Sequence, residues 1–253
     1  MEIVTAVYFA YLTGIAAMRR RGKPAVLSVA MLAALFAVGM SSIMPLVYLL
    51  AAYWLPAMLV REPDCRLERR LLAVDYALFG TNGLQRFERG APLILIEYLE
   101  LAYLLCYAMV PAGFAMLVLG GYGERTLDRF WSVVLLASFI CYGLLPWLPS
   151  RAPRAIERAS GATRSSIRRL NLAVLERASV QWNTFPSGHT AASLATALAV
   201  GAHMPIAGAA LGVVALSISA GSVAGRYHYA ADAIIGAAVA VLAFVTVTAA
   251  RGL

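Results

Sequence analysis

Very little of this chain is suited to water. About eight stretches, roughly 3–18, 24–40, 43–60, 92–119, 127–147, 187–203, 205–223 and 230–250, are apolar over the length that a membrane crossing demands. A crossing helix needs about 20 apolar residues, within about 17–25. Inside hydrocarbon a backbone must satisfy its own hydrogen bonds, and an α-helix does so within one segment. The sequence therefore predicts an all-α fold, a polytopic transmembrane helix bundle. Its composition agrees: 61% of the residues are hydrophobic and 13% are charged, with a mean hydropathy of +0.76. A soluble domain carries about 25% charged residues. The first apolar segment has no basic leader and reads as a span rather than a cleaved signal. Segments 24–40 and 43–60 are short and joined by Ser41 and Ser42, so they are two spans or one bent, re-entrant unit. No soluble domain of useful size is left. Residues 1–60 read as N-terminal transmembrane helices and 61–253 as the rest of one membrane domain.

Two stretches are amphipathic. "REPDCRLERRLLAVDYALFG" (61–80) sets Leu67, Leu71, Leu72 and Val74 at helical spacing among arginines, and the segment 61–90 reads as interfacial. The long polar connection 154–182 is expected to be partly helical, with Leu170, Leu172 and Leu175 dipping into the interface. The net charge is +8, and with eight spans 18 basic residues fall on one face and 3 on the other. The positive-inside rule makes the first face cytoplasmic, unless its arginines are there to serve an anionic site. The expected localisation is a cell (inner) membrane. Arginines between apolar spans point to headgroups rather than to nucleic acid, and no nucleic-acid motif accompanies them. The expected partners are the bilayer and a membrane lipid substrate. Nothing in the sequence sets an oligomeric state. Cys65, Cys106 and Cys141 lack metal-ligand spacing, so neither a structural zinc nor an obligatory disulfide is expected.

Ionisable residues in or at the ends of spans mark function by default. His189 opens the sixth span in "PSGH", and His228 and Asp232 open the eighth in "RYHYAAD". One round trip separates these openings, so they share a face with "LPWLPSRAPR" (145–154). If helical, His228 and Asp232 lie one turn apart. Asp232 then fixes one ring nitrogen and leaves the other as a nucleophile. His189 suits proton donation to a leaving oxygen. Arg154, Arg226 and Arg151 offer forked donors to a phosphate, and Ser187 and Gly188 stand at a helix N-terminus that favours an anion. Glu97, Glu100 and Tyr103, early in the fourth span, are candidates for headgroup contact or for hydrogen bonds between spans. Two histidines and a carboxylate also fit a metal site, a reading that added chelator separates from a phosphohistidine route.

These residues resemble the type 2 phosphatidic acid phosphatase (PAP2) superfamily. "PSGH" (186–189) is similar to its second signature, "RYHYAAD" (226–232) to the end of its third, and "PSRAPR" (149–154) to a variant of its first. Trp147 stands where the family's lysine is usual, and one residue rather than five separates Arg226 from His228. The shortened forms, with "VDYALFGTNGLQRFE" (74–88), resemble the inositol phosphorylceramide synthase branch. The resemblance implies a PAP2-like catalytic membrane domain over 61–253 with a six-helix core. It implies His228 as nucleophile, Asp232 as its orienting carboxylate and His189 as acid and base. Arg154, Arg226, Arg151 and the amides near Ser187 and Gly188 are implied as phosphate ligands, with no metal or other cofactor. The reaction implied is hydrolysis of a phospholipid or polyprenyl (di)phosphate, or transfer of a phospho-headgroup to another hydroxyl. A non-catalytic transporter or scaffold is the reading from a different class.

Overall fold

The computed structural model describes residues 1–40, 44–157 and 165–251. Among them are thirteen helices: α1 Glu2–Met18, α2 Gly22–Val38, α3 Met44–Ala57, α4 Cys65–Phe79, α5 Gly83–Gly90, α6 Leu93–Leu104, α7 Cys106–Leu119, α8 Glu124–Gly143, α9 Pro153–Ile156, α10 Ser166–Ala178, α11 Gly188–Gly201, α12 Pro205–Ala224 and α13 Ala230–Arg251. The fold is all-α, as expected. By length and composition α12 and α13 can cross a membrane among the described residues, and α6 with α7 makes a third candidate if that bent pair is one span. Helices α1, α2 and α3 are shorter and apolar. The Ser41–Ser42 link lies outside the described residues, as do Arg158 and Arg164 of the charge count.

Helix ends follow local chemistry. The Asp64 carboxylate accepts from the N–H groups of Arg66 at 2.8 Å and Leu67 at 3.1 Å, so α4 starts where a capping side chain meets orphan donors. Such a cap contributes about 1 kcal/mol. Pro205 opens α12 where its missing N–H costs nothing. Helix α11 is the hub and packs on α12, α13, α8 and α7. Its contact with α12 is backbone on backbone, since a Cβ on Gly208 would lie 2.1 Å from Gly201 Cα. Small residues allow this approach, and close packing replaces the hydrophobic effect where the surroundings are themselves apolar. Helices α1 and α3 pack on α8, with Tyr8 stacked on Phe139 at 4.2 Å and its hydroxyl donating to Ala52 O at 3.0 Å.

Three expectations change. The stretch 92–119, read as one span, bends by 58° between α6 and α7. At the break the Leu105 N–H is shared between Leu101 O at 3.1 Å and Ala102 O at 3.0 Å, a tightened turn that composition does not announce. Leu175 of α10 packs against Tyr103 and Tyr227 instead of dipping into the interface, while Leu170 is exposed. His228 precedes α13 rather than standing on it, because the chain from Gly225 to Tyr229 is a turn.

Candidate active site

The turn before α13 brings His228 back towards Asp232 without helical spacing. His228 Nδ1 lies 3.3 Å from Asp232 Oδ2. The same oxygen accepts the Tyr229 N–H at 3.0 Å and Asn183 Nδ2 at 2.7 Å. Asp232 is fully buried, and its Oδ1 has no partner among the described residues. With His228 Nδ1 as donor, Nε2 keeps its lone pair. His189, at the start of α11, faces His228 edge-on with ring centroids 5.6 Å apart. The edges of Tyr103 at 5.7 Å and Tyr107 at 5.8 Å also meet His189, one from each side of the α6–α7 break. Both tyrosines, four residues apart, reach one imidazole across the bend.

Arg154, from α9, lies over the Tyr227 ring with its guanidinium carbon 4.9 Å from the centroid. Tyr103 stacks on the same residue at 4.2 Å. Arg154, His189, His228, Tyr103, Asn183 and Thr184 line one cavity of about 30 Å³, with Leu175 and Ser179 on the side of α10. That volume holds one or two waters.

The other expected phosphate ligands are placed differently. Arg151 forks onto Glu68 of α4 through Nε at 3.0 Å and Nη2 at 2.8 Å, and does not line the cavity. Burial pushes the Glu68 carboxyl up, but Arg151 outweighs it and holds the carboxyl below its ordinary value. Arg226 is 1% exposed and its Nη2 is ion-paired with Glu157 Oε2, while Nε and Nη1 have no partner among the described residues. Its backbone sits at φ 59°, a left-handed conformation uncommon outside glycine. The expected free amides at the α11 N-terminus are also engaged. Ser187 N–H donates to Asp232 O at 3.0 Å, and Gly188 N–H donates to Thr184 Oγ1 at 3.2 Å. Ser187 caps the helix through Thr190 N–H at 3.3 Å. Gly188 is required by packing, because a Cβ there would lie 2.1 Å from the Tyr142 ring.

Glu97 and Glu100 are occupied with α10. Glu97 accepts the N–H groups of Ser166 at 2.8 Å and Ile167 at 3.1 Å. Glu100 accepts Tyr227 Oη at 2.6 Å and Asn171 Nδ2 at 2.8 Å. Of the three residues named for headgroup contact, only Tyr103 reaches the cavity. Sequence reading missed Asn183, Thr184 and the buried Arg168, which pairs with Glu88 at 2.6 Å. It also missed Asp75, which accepts the Ala230 N–H at 2.8 Å. Among the described residues no group of three or more His, Cys, Asp and Glu side chains is placed to hold a metal ion.

A family model described as the PAP2 superfamily matches residues 69–246, well over half of the chain. The chain belongs to the PAP2 superfamily. No curated protein and no solved structure matches it. PAP2 proteins are in general phosphatases, so this fold is that of a phosphatase-like phosphoesterase. The PAP2 match begins inside α4 and ends inside α13, and so takes in every residue that lines the cavity except Tyr53 of α3.

Proposed function

We propose that this chain is an integral membrane lipid phosphatase that acts through a phosphohistidine on His228. The observation that carries the reading is the meeting of His228, backed by Asp232, with His189 and Arg154 around one cavity. His228 Nε2 attacks phosphorus and forms an N–P bond. The bond to the leaving oxygen breaks as His189 delivers its proton. His189 then takes a proton from water, the water oxygen bonds phosphorus, and the N–P bond breaks. Arg154 offsets the charge that gathers on the equatorial oxygens. The balance is complete without a metal. Arg226 and Arg151, held by carboxylates, act as supports of the site. The substrate class is a phospholipid or a polyprenyl (di)phosphate. The shortened motifs favour a second reading, in which an alcohol replaces water and a phospho-headgroup such as phosphoinositol moves to an acceptor lipid.

The reading places the protein as a multi-pass protein of the cell membrane. Helices α1, α2, α3, α8, α11, α12, α13 and the bent α6–α7 pair make eight spans, with residues 1–60 as an N-terminal addition to the catalytic domain. The test is incubation of the purified protein with radiolabelled phospholipids and polyprenyl phosphates, with and without chelator. Free phosphate is the expected product, and a new labelled lipid identifies the transferase. His228→Ala should abolish turnover while the protein still inserts, and Asp232→Asn should cost less. Wild-type activity in His228→Ala sinks the mechanism, and loss of activity with chelator restores the metal reading.

A further inference from the structure

Asn183 takes no part in the scheme above, yet it holds three segments of the site together. It is 3% exposed. Its Nδ2 donates to Asp232 Oδ2 at 2.7 Å and to Ser150 Oγ at 3.0 Å. Its backbone N–H donates to Ser150 O at 2.8 Å, and the two residues form an isolated antiparallel bridge. Ser150 leads to Arg154, Asn183 leads to His189, and Asp232 backs His228. Both N–H bonds of the amide are used, each on a different segment.

The distances around Asp232 Oδ2 say which partner sets its position. Asn183 Nδ2 is nearest at 2.7 Å, Tyr229 N–H follows at 3.0 Å, and His228 Nδ1 is farthest at 3.3 Å. The imidazole follows the carboxylate, and the carboxylate follows the amide. A donor is needed at 183, since a second carboxylate there would put two like charges side by side in a buried place. We infer that Asn183 is a positioning residue whose amide holds Asp232 where it keeps His228 in the Nδ1–H tautomer. The effect on turnover rests on the phosphoryl-transfer reading, whereas the effect on the tautomer does not.

Asn183→Asp makes the sharpest test because it keeps the shape and exchanges a donor for an acceptor. Protonation of the new carboxyl restores a donor, so the defect is expected to be reversible with pH. The charged and titratable groups around this point are His228 and Tyr229 ahead of α13, Asp232 on it, His189 on α11 and Arg154 on α9. Tyr53 on α3, Tyr103 on α6, Cys141 on α8, Tyr227, Arg151, and Glu68 and Asp75 of α4 also face these groups. Comparing variant with wild type at each pH cancels their common titrations.

The whole chain, ¹⁵N-labelled at its 3 histidines, is examined by NMR in nanodiscs, with kcat and KM measured in parallel. At pH 7.5 the wild type should show His228 as the Nδ1–H tautomer, and Asn183→Asp should lose that signature. Its kcat should fall about 10- to 100-fold, by analogy with the outer hydrogen-bond partners that orient metal-bound histidines. KM should stay within about twofold, because the loss falls on the transition state. Both tautomer and relative kcat should recover as the pH is lowered towards 5. A folded Asn183→Asp protein with the wild-type His228 spectrum and kcat overturns the inference. A folded variant whose defect persists at every pH also overturns it. If Asn183→Asp does not fold, Ser150→Ala weakens the amide's anchor and should shift the same two readouts less. No shift there is equally fatal. A wild type that turns over none of the lipids, but whose His228 tautomer still answers to Asn183→Asp, sinks the phosphatase reading and leaves Asn183 its role.

Discussion

Arg154 and Arg226 look alike in the sequence, since each lies close to a motif histidine or proline. The fold separates them. Arg154 lines the cavity over Tyr227, whereas Arg226 is buried against Glu157, whose other oxygen accepts Tyr76 Oη at 2.6 Å. Arg154→Ala is therefore expected to lower kcat by about 10²-fold, the usual effect of removing one transition-state donor. Its thermal unfolding should stay close to wild type. Arg226→Ala should do the reverse and lose about 3 kcal/mol, since breaking a buried pair strands the partner charge. Parallel measurements of turnover and unfolding check both, and equal behaviour of the two variants would refute the assignment. The histidines and Asp232 were legible because their neighbours in the chain form motifs. Asn183, Glu157 and Asp75 were not, because their partners lie 49, 69 and 155 residues away. Single-residue chemistry shows in a sequence, and long-range hydrogen bonding does not.

Helix α4 was legible as an amphipathic element but not as a buttress. Its arginines and leucines gave it a surface address, and the fold uses the face between them. Glu68 grips Arg151, whose carbonyl accepts Tyr229 Oη at 2.9 Å, and two turns on Asp75 accepts the Ala230 N–H. The helix thereby holds the C-terminal flank of the turn that carries His228. Burial pushes the Asp75 carboxyl up to about 6, with Asp232 and Glu157 adding to the rise and the Ala230 N–H opposing it. The unfolded value is about 3.9. Between these values the folded state binds more protons than the unfolded one. The contribution of Asp75 to stability thus falls as pH rises from about 4 to 6, and stays lost above. Asp75→Asn keeps an oxygen for Ala230 and cannot ionise. Its unfolding temperature relative to wild type should rise from pH 4.5 to pH 7, and a constant difference would contradict this. The α6–α7 break was hidden for another reason. Residues 92–119 are apolar on both sides of Leu105, and the local pattern is the same for a straight and a bent helix.

At the scale of the molecule, the proposed eight-span arrangement puts the basic face and the proposed site at the same end. The Asp64 N–H donates to Pro149 O at 2.8 Å, so exposed Cys65 is tied to the loop that leads to Arg154. Cys106 and Cys141 are buried, which makes Cys65 a natural reporter of sidedness. The positive-inside rule predicts that an impermeant maleimide labels it only after cells are permeabilised. Labelling of intact cells would instead place the site outside and give the arginines to anion binding. The all-helical architecture was legible from hydropathy alone, because a bilayer leaves few alternatives. The small cavity carries one more consequence. With α10 in its present place the cavity has space for one or two waters, less than a phosphate needs. On the proposed reading, substrate entry requires Leu175 and Ser179 to give way, and turnover then includes that step. On the same reading the acceptor, water or alcohol, must enter by the same displacement.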